Sequence, residues 1–229
     1  METVVIIIML AVALTFLLKL SYHSLWGCLA ISAAAALFTL LSVDSAVSQS
    51  KTQIADWLQN PELMLDTSVM LTLDVMLQLA FCFLSTRRLT GERLSRRLEV
   101  AWQITFWVPG IMIFPVLFST LVEIIFSMPG ADFGTLGWIT AVGVLIGAPL
   151  LSLGLKYLLP EKDLRLELMF LINLLTAALG IVATMNGRTA SAGVSQVEWQ
   201  ALAAVILLLV FGAFAGLLYF KFKTKRTYR

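Results

Sequence analysis

A single histidine, His23, is all that the 229 residues contain. A zinc site built on two or three imidazoles is therefore excluded within the chain, and bis-histidine haem ligation would need a partner subunit. Cysteine is almost as scarce. Cys28 and Cys82 both fall in apolar stretches, form neither a disulfide framework nor a CxxC motif, and read as small packing residues. HExxH and GxSxG are missing, no Ser–His pair is apparent, and there is no phosphate-binding loop or dinucleotide fingerprint. A retinal-type Schiff base needs a lysine deep in the last apolar run, whereas Lys221 stands at its end. The expectation is a protein that is not an enzyme, with no cofactor, no metal and no nucleic-acid partner.

Charge is the other shortage. Only 13% of residues are Asp, Glu, Lys or Arg, about half the share of a soluble domain. Hydrophobic residues make up 59% and the mean hydropathy is +0.92. The apolar runs are continuous rather than alternating, which fits membrane helices and not a membrane barrel. The fold class expected is all-α: one polytopic transmembrane helical domain over 1–229. The start, "METVVIIIMLAVALTFLLKL", has Glu2 as its only charge before Lys19 and no small-residue cleavage site, so it reads as a retained helix rather than a signal peptide.

Seven spans are expected, near 3–19, 24–43, 67–85, 101–127, 137–158, 166–184 and 199–220. Only "LSYH" joins the first two, so one long bent helix over 3–43 competes, giving six. Loop charge orients the chain. With the C-terminus inside, 14 of the 16 Lys and Arg residues fall on inside segments, leaving Lys51 and Arg188 outside. This is the positive-inside bias, and it gives N-out, C-in in a membrane read as the bacterial cytoplasmic (inner) one.

Two connections carry patterns of their own. In "SQSKTQIADWLQNPEL", Ile54, Trp57 and Leu58 recur at helical spacing, Ser50 and Gln53 are spaced as a capping box, and Pro61 follows. A short interfacial helix near 50–60 is expected. The basic loop 86–100 holds Arg87, Arg88, Arg93, Arg96 and Arg97. These arginines serve either as a topology signal or as contacts to anionic lipid headgroups at the cytoplasmic face.

The residue that stands out is Asp74, inside "TSVMLTLDVMLQLAFCFLSTRR". At the helical repeat, Thr67, Asp74, Gln78, Cys82 and Ser85 share one face. Asp74 lies about 12 Å below the outer boundary at 1.5 Å per residue, where a carboxylate is costly and functional by default. The sequence offers it no intramembrane counter-ion, since Lys19 and His23 are placed at the opposite end of the bilayer. A proton or cation site, a neutral packing role, and a pair with a cation on another subunit all stay open. Glu123, with Ser119 and Ser127, reads as interfacial, and Asn173 as a hydrogen-bonding link between helices. Pro109 and Pro115 should kink the fourth span. Gly143, Gly147, Pro149 and Gly154 should loosen the fifth, and two neighbouring broken helices point to a transport site. Gly143 with Gly147, and Gly212 with Gly216, form GxxxG pairs for close helix packing.

Two functions follow from this reading. The favoured one is a non-catalytic accessory or scaffold subunit of a larger inner-membrane complex, such as an ion-driven motor or export machine, with other membrane subunits or itself as partner. The alternative is a small secondary transporter, proton-coupled through Asp74. The first is preferred because a single helix carries most of the polar stripe.

Overall fold

Proline, glycine and serine set most of the helix ends in the computed structural model. The structure describes residues 2–48, 61–92, 95–128, 130 and 132–189, with side chains for 4–48, 67–92, 95–128, 130 and 132–182. Those up to Arg188 belong to one compact unit. The expected interfacial helix near 50–60, the seventh span, Gly212, Gly216 and Arg93 lie outside the described residues.

Helix α1, Glu2–Leu20, is uninterrupted by proline or glycine. It ends in the turn Ser21–Ser24. The side chain of Ser24 then accepts from the Gly27 amide and caps α2, Leu25–Leu41. Residues 3–43 are thus two helices, not one bent one. A single turn, α3, Val43–Val47, follows.

Helix α4, Pro61–Leu89, starts on a proline, which suits a first turn that needs no donor. It ends in a Schellman cap: Gly91 takes φ 77°, while Glu92 N–H reaches Arg87 C=O and Gly91 N–H reaches Arg88 C=O.

The expected fourth span is not one kinked helix. It is two helices, α5, Arg96–Trp107, and α6, Ile113–Ser127. Val108 is extended, the conformation favoured before proline. Pro109 has no N–H to continue the ladder, and Gly110 adopts φ 128°, a conformation open to glycine. Pro115 sits in the first turn of α6, where its missing donor costs nothing.

Asp132 caps α7, Phe133–Leu158, accepting from the Thr135 amide and hydroxyl, both at 2.9 Å. Those bonds hold its carboxyl below the usual carboxylate range. Helix α7 runs unbroken through Pro149, so only one of the two expected broken helices is broken. The last described helix is α8, Lys162–Thr189.

All the regular structure among the described residues is helical, and three stretches are long and apolar enough to cross a membrane: Thr67–Leu89, Phe133–Leu158 and Lys162–Val182. The shorter apolar helices, Val4–Leu20, Leu25–Leu41 and Ile113–Ser127, pack among them.

Contacts fix the directions. Ile8 clusters with Leu71 and Leu18 with Phe81, so α1 and α4 run parallel. Leu71 meets Gly180 while Phe81 clusters with Met169, so α8 is antiparallel to both. Helices α2 and α7 approach through small residues, Cys28, Ser32, Ala35, Ala36 and Thr39 against Gly137, Ala141, Ala148 and Ser152, all buried. A Cβ on Gly137 would collide with the Val43 side chain, which accounts for a glycine there.

Candidate functional site

The polar stripe on α4 is buried and answered by partners along most of its length. Asp74 is 4% exposed. Its Oδ1 accepts from the backbone N–H of Ile111 at 2.5 Å, and the Met112 amide also contributes. Both amides precede α6, so the carboxylate lies at the positive end of a helix dipole, where free N–H groups favour an anion. The break at Pro109–Gly110 is what aims them. Had the fourth span been continuous, those amides would have been used within the helix.

Gln78 comes one turn later. Its Oε1 accepts from Lys19 Nζ at 2.9 Å, and its Nε2 donates to Pro109 C=O at 3.2 Å while also facing the Asp74 carboxylate. The chemistry of its neighbours fixes the amide's orientation, because an ammonium can only donate and a carbonyl can only accept.

Lys19 is 1% exposed and stands 4.9 Å from the centroid of the Phe81 ring. It interacts electrostatically with Asp74 and Cys82. Lys19, which the sequence reading sets apart from Asp74, is thus joined to it through Gln78 without a direct ion pair among the described residues. The reason is geometric. Helix α4 continues from Gln78 to Leu89, about 16 Å at 1.5 Å per residue. A lysine next to the end of α1 is thus level with the middle of its neighbour. Thr15, one turn before Lys19, buries a hydroxyl with no partner. Thr39, Thr72, Thr86, Thr120, Thr140 and Thr176, by contrast, donate to the carbonyl four residues back.

Further along the stripe, Cys82 packs in a buried cluster with Leu18, Phe81 and Met169, against which Tyr22 rests. Ser85 Oγ accepts from Trp102 Nε1 at 3.1 Å, and Arg88 stacks over the same indole at 4.0 Å. Arg165, 1% exposed, donates from Nη1 to Ser21 C=O at 3.2 Å and to Ser21 Oγ at 3.0 Å, and its guanidinium lies over the Tyr22 ring. The Tyr22 hydroxyl donates to Lys162 C=O at 2.7 Å. Burial pushes its phenol well above the ordinary range. His23 stacks on Phe106 at 4.1 Å between centroids, and burial pushes its imidazole down.

Other expected site residues behave differently. Asn173 is buried, but its Nδ2 donates to Met169 C=O within α8 at 2.7 Å rather than to another helix. Glu123 is exposed. A Cβ on Gly143 or Gly147 would meet nothing within 4 Å, so this pair packs no neighbouring helix among the described residues. Arg87 pairs with Glu92 at 3.5 Å, and Arg96 and Arg97 are exposed on α5.

Sequence reasoning missed Lys19, Tyr22 and Arg165 as members of the site. The available signal was the unequal length of the helices, with the apolar run of α4 flanked by Arg87 and Arg88 well beyond the level of the "LSYH" turn. No family model, no curated protein and no solved structure matches the chain.

Proposed function

We propose that the chain is a membrane transport protein in which binding of a proton at Asp74 drives rearrangement of the broken α5–α6 pair. The observation that carries this reading is the buried network of Lys19, Gln78, Asp74 and the Ile111 amide. It draws on three separate elements and sits at the tip of a discontinuous helix, the arrangement that membrane transporters use for ions and charged solutes. The preference for an accessory subunit rests on one helix carrying most of the polar stripe, and Lys19 of α1 and the Ile111 amide add to that stripe from two further elements.

The Asp74 carboxylate faces the Ile111 amide at the start of α6 and the Gln78 amide that holds Lys19. Adding a proton cancels the attraction to the start of α6 and leaves Lys19 as the unbalanced charge. The pair α5–α6 then loses the bonds that fix it against α4. Seven spans with N-out, C-in topology, in the bacterial inner membrane, belong to this proposal and rest on the 14-to-2 division of basic residues.

The test is proton movement in liposomes holding the purified protein under an imposed pH gradient. Flux should be present in the wild type and lost in Asp74→Asn with the fold retained. Equal flux in both would reject the reading.

A subunit role has its own support. Helix α7 turns Gly143, Ile146 and Leu150 outward, a face that a further membrane subunit or a second copy could cover. Stoichiometric membrane proteins co-purifying from the native host in mild detergent would favour it.

A further inference from the structure

We infer that Thr15 belongs to the polar site around Asp74, and that its hydroxyl holds the Lys19 ammonium through one bound water molecule. The inference rests on the packing of α1 against α4 and stands whether or not Asp74 carries protons.

The hydroxyl itself is the first observation. Thr15 is 4% exposed, and its Oγ1 is buried without a hydrogen-bond partner. A threonine inside a helix has a ready remedy, since a common rotamer bonds the carbonyl one turn back. Thr39, Thr86 and Thr176 adopt it, at 3.0, 2.9 and 2.8 Å. Thr15 does not, so its hydroxyl is turned away from the Ala11 carbonyl. A buried hydroxyl without a partner is destabilising, and here the helix offered a way to avoid it.

The second observation is what this hydroxyl faces. Ala11 and Leu18, one turn to either side, sit in the buried cluster with Phe81 of α4 and Met169 of α8. Thr15 thus points into the bundle. The offset that sets Ile8 with Leu71 and Leu18 with Phe81 sets Thr15 with Gln78. Gln78 Oε1 is also where the Lys19 ammonium ends, at 2.9 Å. Long side chains on a helix lean toward its N-terminus. Lys19 does so by one turn, which carries its Nζ to the level of Thr15. Hydroxyl and ammonium are neighbours without a direct bond.

Unused hydrogen-bonding capacity selects the ligand. An ammonium has three N–H donors and no acceptor. Among the described residues Gln78 Oε1 takes one, and the Phe81 ring covers another side at 4.9 Å. Lys19 is 1% exposed, so bulk solvent does not serve the remaining donor. Gln78 Oε1 keeps a second lone pair, and the Thr15 hydroxyl can both donate and accept. A metal cation is disfavoured beside the ammonium, and an anion beside the Asp74 carboxylate one turn from Gln78. A neutral ligand that accepts and donates fits both. Water does so, and Lys19, Thr15 and Gln78 supply about the three partners that a buried water usually has.

The experiment measures thermal unfolding of Thr15→Val in one detergent, in the wild-type protein and together with Lys19→Met. Valine keeps the branched shape and removes the hydroxyl. A hydroxyl that served nothing is better removed, so its loss would raise the midpoint. We expect the midpoint to fall by about 2 °C or more, and to change by less than half as much when Lys19→Met has removed the ammonium. A midpoint raised or unchanged by Thr15→Val, or an equal fall with and without Lys19, overturns the inference. Should Lys19→Met fail to fold, a wild-type density map that resolves ordered water decides. A peak within hydrogen-bond distance of both Thr15 Oγ1 and Lys19 Nζ is the expected result. A hydroxyl that bonds Lys19 directly, or bonds nothing, contradicts it.

Discussion

Gly110 and Asp74 lie so close that the backbone of one occupies the space a side chain would need beside the other. A Cβ on Gly110 would stand 3.1 Å from Asp74 Oδ1 and 2.7 Å from Gln78 Nε2. The same glycine holds φ 128°, which L side chains rarely adopt. Absence of a side chain at Gly110 thus serves two ends at once, turning the chain between α5 and α6 and letting the Ile111 amide reach the carboxylate.

Gly110→Ala should therefore destabilise the protein by about 2 kcal/mol or more, from strain and from displacement of Gln78. Gly143→Ala, where a Cβ meets nothing within 4 Å, should change stability by less than about 0.5 kcal/mol. Thermal unfolding of the two variants in one detergent checks this. Equal losses would mean that the helix break does not hold the site.

His23 gives a pH dependence with a defined sign. Burial depresses its folded pKa below the ordinary value of 6.5, so the folded state prefers the neutral ring. Its contribution is full above about pH 6.5 and is lost as pH falls below that, where the unfolded state binds the proton more readily. His23→Phe keeps an aromatic ring against Phe106 and cannot titrate. The wild type should lose thermal stability between pH 7 and 5, on the order of the range a histidine spans, and the variant should lose less. Parallel curves would assign the loss to other groups.

The sequence made the α4 stripe legible, because Asp74, Gln78, Cys82 and Ser85 declare their common face through spacing alone. It did not reveal what faces them. Lys19 and Arg165 look like ordinary charges beside short turns, and their burial depends on how far α4 and α5 extend past them, a property of packing. The two prolines announced a disturbance in the fourth span. That Pro109 breaks it while Pro115 and Pro149 are absorbed depends on helix position, which membrane helices do not advertise. Asn173 shows an asparagine bonding its own helix through Nδ2, a use that spacing alone does not reveal.

Sidedness is the next expectation. Single cysteines at Thr90 and Lys162 should react from the same side of an intact membrane, and one at Ser48 from the other. Thr90 follows the basic end of α4, Lys162 receives the Tyr22 hydroxyl bond, and Ser48 follows α3 at the far end of α2. Reaction of Thr90 and Ser48 from one side would undo the proposed topology.

The most direct measurement is a double-mutant cycle on Lys19 and Asp74. Among the described residues the two form no direct ion pair, and Gln78 joins them. Lys19→Met should strand the carboxylate and Asp74→Asn the ammonium, each at a cost of about 1–3 kcal/mol for an unbalanced buried group. In Lys19→Met/Asp74→Asn neither charge remains, so the double variant should be more stable than the sum of the single losses predicts, by about 1 kcal/mol or more. Unfolding free energies that add to within about 0.5 kcal/mol would show that the two residues do not sense each other and would contradict the network at the centre of this account.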